Sequence, residues 1–166
     1  MKRLALVLVA LAAATSAANA DDRIAPVTDP TVKQECGGCH MAFPAGLLPA
    51  RSWRRMLDGR ADHFGEDLAL SPETADLIAG YLSVNAGDTA TRGLARKYMR
   101  WVAPDGAPLR ITENPAFLRK HPFPDSTWSD PKVVTKSNCL ACHAGAAQGD
   151  FERGDFEKGG RTRPPF

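Results

Sequence analysis

Two short segments of the form Cys-x-x-Cys-His restrict the folding of this chain more than any other feature. This spacing is the attachment signature of c-type haem, in which both sulfurs bond to the porphyrin and the histidine becomes an axial ligand of the iron. The two segments contain all four cysteines of the chain, so two covalently bound haems c are predicted. The predicted attachment and proximal residues are Cys36, Cys39 and His40, and Cys139, Cys142 and His143.

Paired cysteines have three other common roles, which are alternatives to haem attachment. A redox-active dithiol favours a βαβ setting, and the pattern of this chain does not show one. A zinc site built from two cysteine pairs is chemically reasonable, and disulfides are common in exported proteins. Neither explains why a histidine directly follows both pairs, at His40 and His143. The repeated histidine therefore favours haem.

The first twenty residues have the pattern of a secretory signal peptide. Lys2 and Arg3 precede an apolar run over residues 4–14, which is too short for a stable membrane span. Residues 18–20 are Ala-Asn-Ala, which predicts cleavage after Ala20. The mature chain is therefore expected to be exported to the periplasm, with no transmembrane segment.

Length and charge limit the class of protein further. Removing 20 of 166 residues leaves 146, which is enough for one domain or two small ones. Two of the 21 basic residues leave with the signal peptide, so 19 basic residues face 19 acidic ones. A neutral mature chain lacks the basic footprint of a nucleic-acid-binding protein. Thirteen prolines and fourteen glycines predict many loops.

Helix signals are concentrated in the first half, residues 21–87. Their order, with a Cys-x-x-Cys-His segment after the first helix, is that of a small single-haem cytochrome c. The N-cap and stop residues predict helices from Asp29 to Cys36, from Ser52 to Gly65, and from Ser71 to Gly87.

Residues 88–148 are less regular and form the predicted second haem-binding part. A helix is expected from Ala90 to Trp101, and a shorter one after the cap at Asn114. Residues 149–166 contain a five-residue repeat and are predicted to be a flexible tail. The predicted fold is therefore mainly α with much irregular structure: an N-terminal cytochrome c-like helical domain and an extended, loop-rich C-terminal part.

One stretch is biased in charge. Residues 92–120 contain seven basic residues, against the acidic residues Asp105 and Glu113. A solvated face or partners for haem propionates is the favoured interpretation. A docking surface for an acidic protein is the alternative.

Two further axial ligands are needed if both irons are six-coordinate, and two histidines remain. His63 lies 23 residues after His40, and His121 lies 22 residues before His143. Pairing each with the nearer segment closes shorter loops, a preference of about 1 kcal/mol for each loop over the crossed pairing. The competing ligands are Met56 and Met99, for which packing in a haem pocket is the favoured role.

Ligand number separates two classes of function. An electron carrier has both irons six-coordinate, whereas a peroxidase-like dihaem enzyme needs an open or displaceable site and acid–base groups above it. After four histidines are assigned to iron, none remains for acid–base catalysis. The sequence favours a carrier, with the enzyme as the alternative.

The chain resembles the bacterial dihaem cytochrome c family. The matching motifs cover almost all of the mature chain; besides both Cys-x-x-Cys-His segments and His121, they are Gly46–Pro49, Ser52-Trp53, Asp62–Gly65 and Arg110–Glu113. The resemblance implies two low-spin haems with bis-histidine ligation. It also implies two partners, a membrane cytochrome b that donates electrons and a small, soluble, oxygen-binding c-type cytochrome that receives them.

Overall fold

The computed structural model describes residues 22–152, which are mainly helical. Their α-helices are α1 (Pro30–Gly37), α2 (Ala50–Asp58), α3 (Pro72–Val84), α4 (Gly93–Met99), α5 (Pro115–Lys120) and α6 (Asp125–Trp128). Short 3-10 helices lie at Ala45–Leu47, Arg60–Asp62, Gly87–Thr89, Ile111–Glu113, Cys139–Ala141 and Ala146–Gln148. Among these residues, extended pairing is limited to isolated bridges, Arg23 with Asp150 and His63 with Glu66. The predicted fold class is confirmed.

The predicted signal peptide and most of the predicted tail, residues 153–166, lie outside the described residues. None of the helices within residues 22–152 is long and apolar enough to cross a membrane.

Three predicted helix starts are confirmed by side-chain caps. The Asp29 carboxylate accepts from the Val32 amide, and the Ser71 hydroxyl accepts from the Thr74 amide. The Asn114 side chain accepts from the amide of Ala116. In each case a proline follows the cap, where its missing N–H costs nothing and its fixed φ suits the first turn.

The prediction for α2 was wrong at both ends. The helix begins at Ala50, and the carboxylate that accepts from its amide belongs to Asp88, far along the chain. Ser52 is instead fully buried inside the helix. Gly59, not Gly65, ends the helix. A cap supplied from a distant residue leaves no local signal, which is why the sequence did not show it.

The predicted boundaries of two other helices also differ from the observed ones. Helix α3 stops at Val84, where Asn85 caps it, and Gly87 begins a 3-10 helix instead. Helix α4 is shorter than predicted and starts at Gly93, whose φ of +71° is a left-handed conformation that favours glycine.

Two clusters of buried side chains form the core. The first joins α1, α2 and α3 through Val27, Val32, Ala45, Leu48, Trp53, Leu57, Ala75, Ile78, Leu82 and Ala86. The second joins α4 and α5 through Ile24, Leu47, Leu94, Ala95, Tyr98, Ala116 and Phe117. The neighbours Leu47 and Leu48 point into different clusters, so one short segment connects both.

Side chains from the first half thus complete the core of the second half. Asn114 is fully buried, and its Nδ2 donates to the carbonyl of Leu47 while its Oδ1 caps α5. The predicted division at residues 87 and 88 stays a prediction.

The two ends of the described chain are hydrogen bonded to each other. The Ile24 amide donates to Gly149, and the Phe151 amide donates to Asp22. Gly149 has φ +77°, and a Cβ there would collide with the carbonyl of Ile24. The first residues of the predicted tail therefore lie against the N-terminal segment.

Replacing Asn114 with alanine should lower the free energy of unfolding of the holoprotein by about 1–3 kcal/mol, since it removes a cap and leaves a buried carbonyl without its donor. Urea unfolding followed by the haem absorption measures this. The matched control is Ser71→Ala, which removes an exposed cap alone and should cost less. Equal costs for both variants would contradict a structural role for the Asn114–Leu47 bond.

Candidate haem-binding sites

Helix α1 presents the first Cys-x-x-Cys-His segment. Cys36 lies in the last turn and is half-buried against the first core cluster, whereas Cys39 and His40 follow the helix and are exposed. The helix thus holds one sulfur against the core and leaves the other sulfur and the imidazole exposed. All four cysteines of the chain are free of disulfides.

His63 faces His40 with 6.2 Å between the ring centres and 29° between the ring planes. It does not lie in the last turn of a helix, as the sequence predicted, but follows the 3-10 helix Arg60–Asp62. Its amide donates to Glu66, which closes a tight loop. The Asp62 carboxylate accepts from the Gly65 amide and holds that loop.

Inside this loop Phe64 has φ +60°, a left-handed conformation that costs energy for a large side chain. The centre of its ring lies 4.7 Å from that of His63, and the guanidinium carbon of Arg110 lies 3.7 Å from the centroid of the Phe64 ring. Arg110 comes from the second half of the chain. The second half therefore supports the loop that carries the predicted distal ligand of the first haem.

The surroundings of His63 favour the neutral form of its imidazole. Burial lowers its pKa, and the nearby His40 and Arg110 lower that pKa further. A neutral imidazole has a free nitrogen electron pair, which is the form that binds a metal.

The second Cys-x-x-Cys-His segment begins as a short 3-10 helix, Cys139–Ala141, within the loop-rich part. The Asn138 side chain donates to the carbonyl of Val133 and fixes the approach to it. Burial raises the pKa of the Cys139 thiol to about 11 and also raises the pKa of Cys142. A reactive dithiol needs a lowered thiol pKa, so these surroundings do not suit redox-active thiols.

His121 follows α5 directly and faces His143. Their ring centres are 6.2 Å apart, as in the first pair, but their planes are inclined by 82°. The buried ring of Phe117 stacks on His121 at 4.1 Å and 15°. Trp128 contacts His121 as well, and Phe151 contacts His143. The proline-rich stretch around His121 is thus enclosed by aromatic side chains.

Backbone carbonyls orient three of the four imidazoles. The Nδ1 atom lies 2.8 Å from the Met41 carbonyl in His40, 3.0 Å from Phe117 in His121, and 2.9 Å from Glu152 in His143. A carbonyl oxygen only accepts, so Nδ1 carries the hydrogen and Nε2 keeps the electron pair for a metal. Nδ1 of His63 is buried and has no hydrogen-bond partner among residues 22–152.

The spacing of both pairs fits an iron between two imidazoles. Bonds of about 2 Å from a metal to each nitrogen, with about 1.2 Å from nitrogen to ring centre, give about 6.4 Å between ring centres. The observed spacing is 6.2 Å in both pairs.

Within residues 22–152, no group of three or more His, Cys, Asp or Glu side chains is arranged to hold a metal ion.

The two competing methionines are partly buried at the edge of the core. Met56 packs against the first cluster and Met99 against the second. A Cβ on Gly87 would lie 2.8 Å from the Met99 methyl group, so that methyl group lies close against the backbone. Packing accounts for both side chains.

Sequence reasoning gave no role to three residues beside these pairs, namely Arg110, Phe117 and Phe151. Arg110 belongs to a family motif and to the basic stretch of residues 92–120, but nothing local relates it to His63. Phe117 could have been found, since it lies four residues before His121 and so on the same helical face.

The fold is helical, and each of its two Cys-x-x-Cys-His segments supplies one histidine of a facing pair. These features define a small c-type haem protein. A family model described as dihaem cytochrome c matches residues 32–151. The chain belongs to the dihaem cytochrome c family, and it therefore has two covalently bound haems c and a role in electron transfer.

Solved structures agree with this family. A diheme cytochrome c from Rhodobacter sphaeroides is 43% identical with a TM-score of 0.68, over 76% of this chain and 99% of its own. A second structure, of DHC purified from Rhodobacter sphaeroides, is 40% identical with a TM-score of 0.57 over the same shares. A diheme cytochrome from Shewanella baltica OS155 is 34% identical with a TM-score of 0.59, over 74% of this chain and 86% of its own. No curated protein matches the chain.

Replacing His63 or His121 with alanine should open one iron, because each ring faces only one proximal histidine. Carbon monoxide titration of the reduced protein should show one binding site per chain in each single variant and two in the double variant. Met56→Leu and Met99→Leu are the controls and should bind none. Carbon monoxide binding by Met99→Leu would instead identify Met99 as a ligand.

Proposed function

We propose that this protein carries electrons through two bis-histidine sites, His40 with His63 and His121 with His143. The observation that supports this most directly is the 6.2 Å spacing in both pairs, which suits one iron between two imidazoles. When bound, each haem supplies an iron that takes up and releases one electron.

This chain would hold each haem, orient its ligands and shield them from water. The backbone carbonyls of Met41, Phe117 and Glu152 fix three imidazoles and leave their Nε2 atoms available to bind iron. A second histidine lowers the reduction potential relative to methionine, so both sites are expected to have low potentials. Phe117 and Trp128 exclude water from one side of His121.

The alternative is a peroxidase-like enzyme with one displaceable ligand. One observation favours it: Nδ1 of His63 lacks a partner in the described part of the chain, so this ring is oriented by fewer contacts than the others. Two observations oppose it. His63 is held by the Glu66 pairing and is packed against Phe64. All four histidines of the chain also lie in the two pairs, which leaves none for acid–base catalysis.

We also propose where the carrier works and with what. The pattern of residues 1–20 supports export to the periplasm, with cleavage after Ala20. The family resemblance supports a membrane cytochrome b as electron donor and a small, soluble, oxygen-binding c-type cytochrome as acceptor.

A carrier should take up two electrons per chain reversibly and should not turn over peroxide. We expect a reductive titration with two one-electron steps, no carbon monoxide binding by the reduced wild-type protein, and hydrogen peroxide reduction no faster than in a denatured haem control. Rapid peroxide turnover with an electron donor would support the enzyme instead.

Arg110→Gln should lower the reduction potential of the first haem by tens of millivolts, because a nearby positive charge disfavours the oxidised iron. Glu113 lies 3.7 Å from that guanidinium, so Glu113→Gln should shift the potential upward. Redox titration measures both shifts. Arg110→Lys keeps the positive charge and should therefore keep most of the wild-type reduction potential. The argument is wrong if Arg110→Gln shifts the second haem alone.

A further inference from the structure

Helices α4 and α5 lie side by side and expose a basic surface with an apolar centre. Arg96 on α4 and Arg100, which directly follows the helix, are both exposed, whereas Leu94, Ala95 and Tyr98 on α4 are buried. Helix α5 exposes Leu118, Arg119 and Lys120 and buries Ala116 and Phe117. We define the α4–α5 surface by Arg96, Arg100, Trp101, Leu118, Arg119 and Lys120.

One contact joins the two helices across this surface. The Arg119 guanidinium lies 4.0 Å above the ring of Trp101, which is 47% exposed. Leu118 is 55% exposed. An exposed tryptophan covered by arginine has the composition of the centre of a protein interface, where tryptophan and arginine carry most of the binding energy.

Acidic side chains within residues 22–152 do not neutralise all of the charge on this surface. In the part of the chain that the structure describes, the ion pairs formed by basic residues involve Arg23, Arg51, Lys97 and Arg110. Arg96, Arg100 and Lys120 form none there. Unpaired like charges on one face attract an oppositely charged partner and accelerate its association.

Helix α5 connects this surface to the second pair of histidines. His121 directly follows Lys120, and Phe117, on the buried side of α5, stacks on the His121 ring. A partner bound to the exposed side of α5 is therefore separated from this ligand by one short helix.

We propose that the α4–α5 surface docks the acidic face of a soluble redox protein for electron exchange at the second haem. This deepens the proposed carrier function and depends on it. One electron moves between the redox centre of the partner and the haem iron, so that one centre is oxidised as the other is reduced, and no bond is made or broken. A membrane surface fits less well, because membrane-bound helices present a wide apolar face, whereas here two apolar residues stand among charges.

The test uses holoprotein and a plant-type [2Fe–2S] ferredoxin, an acidic one-electron donor, in stopped-flow reduction at several ionic strengths. Arg96→Glu/Arg100→Glu should react about tenfold more slowly than wild type at low salt, and the difference should vanish at high salt. The matched control is Lys33→Glu/Arg55→Glu, which changes the charge equally on α1 and α2 and should have a much smaller effect. Equal losses in both double variants would overturn the proposal.

The apolar centre has its own test. Trp101→Ala should raise the dissociation constant for ferredoxin about tenfold, as obtained from saturation of the reduction rate, at both low and high salt. An unchanged dissociation constant at both salt concentrations would show that Trp101 lies outside the interface and would contradict the proposed docking surface.

Two further measurements separate this proposal from its competitors. Reduced methyl viologen, a small cation, should reduce all variants at the wild-type rate; failure to reduce even the wild-type protein would refute the carrier function itself. If Arg96→Glu/Arg100→Glu perturbs the fold, Arg96→Gln/Arg100→Gln should still halve the ferredoxin rate or reduce it further. Salt-sensitive binding to phosphatidylserine vesicles with unchanged ferredoxin kinetics would show that the surface binds membranes and overturn the proposal.

Discussion

Two imidazole rings that face each other across 6.2 Å are the interaction on which each half of this protein depends. An iron bound between them, as proposed, would join segments that are more than twenty residues apart in sequence, and the thioether bonds would fix the porphyrin to one of those segments. In a chain with many prolines and glycines, such links substitute for long regular elements. The core agrees with this view, since its two clusters each lie beside one histidine pair.

The two pairs are built differently. In the first, a short loop with a left-handed Phe64 presents His63, and Arg110 from the second half covers that loop. In the second, His121 is oriented by its own helix through the Phe117 carbonyl, and the end of the described chain orients His143 through Glu152. The first site thus depends on the second half of the chain, and the second site depends on residues that the sequence placed in a flexible tail.

The sequence predicted the parts of each site that are local. The Cys-x-x-Cys-His segments, the caps Asp29, Ser71 and Asn114, and the nearer-neighbour pairing of histidines all follow from spacing or from one turn of chain. The parts it missed act across the fold. Asp88 caps α2 from a distance, Arg110 reaches Phe64, and Asn114 bonds to Leu47. No local pattern records such contacts, because the two partners meet only after the chain has folded.

The most direct test of the account is the electron paramagnetic resonance spectrum of the oxidised wild-type protein. Ring planes at 29° should split the iron d orbitals strongly and give a rhombic low-spin signal. Planes at 82° should leave these orbitals nearly degenerate and give a second, more anisotropic low-spin signal with a larger maximum g value. Two such signals of equal intensity, with no high-spin component, are the predicted result. A high-spin signal that accounts for half of the iron would contradict ligation by two histidines at both sites.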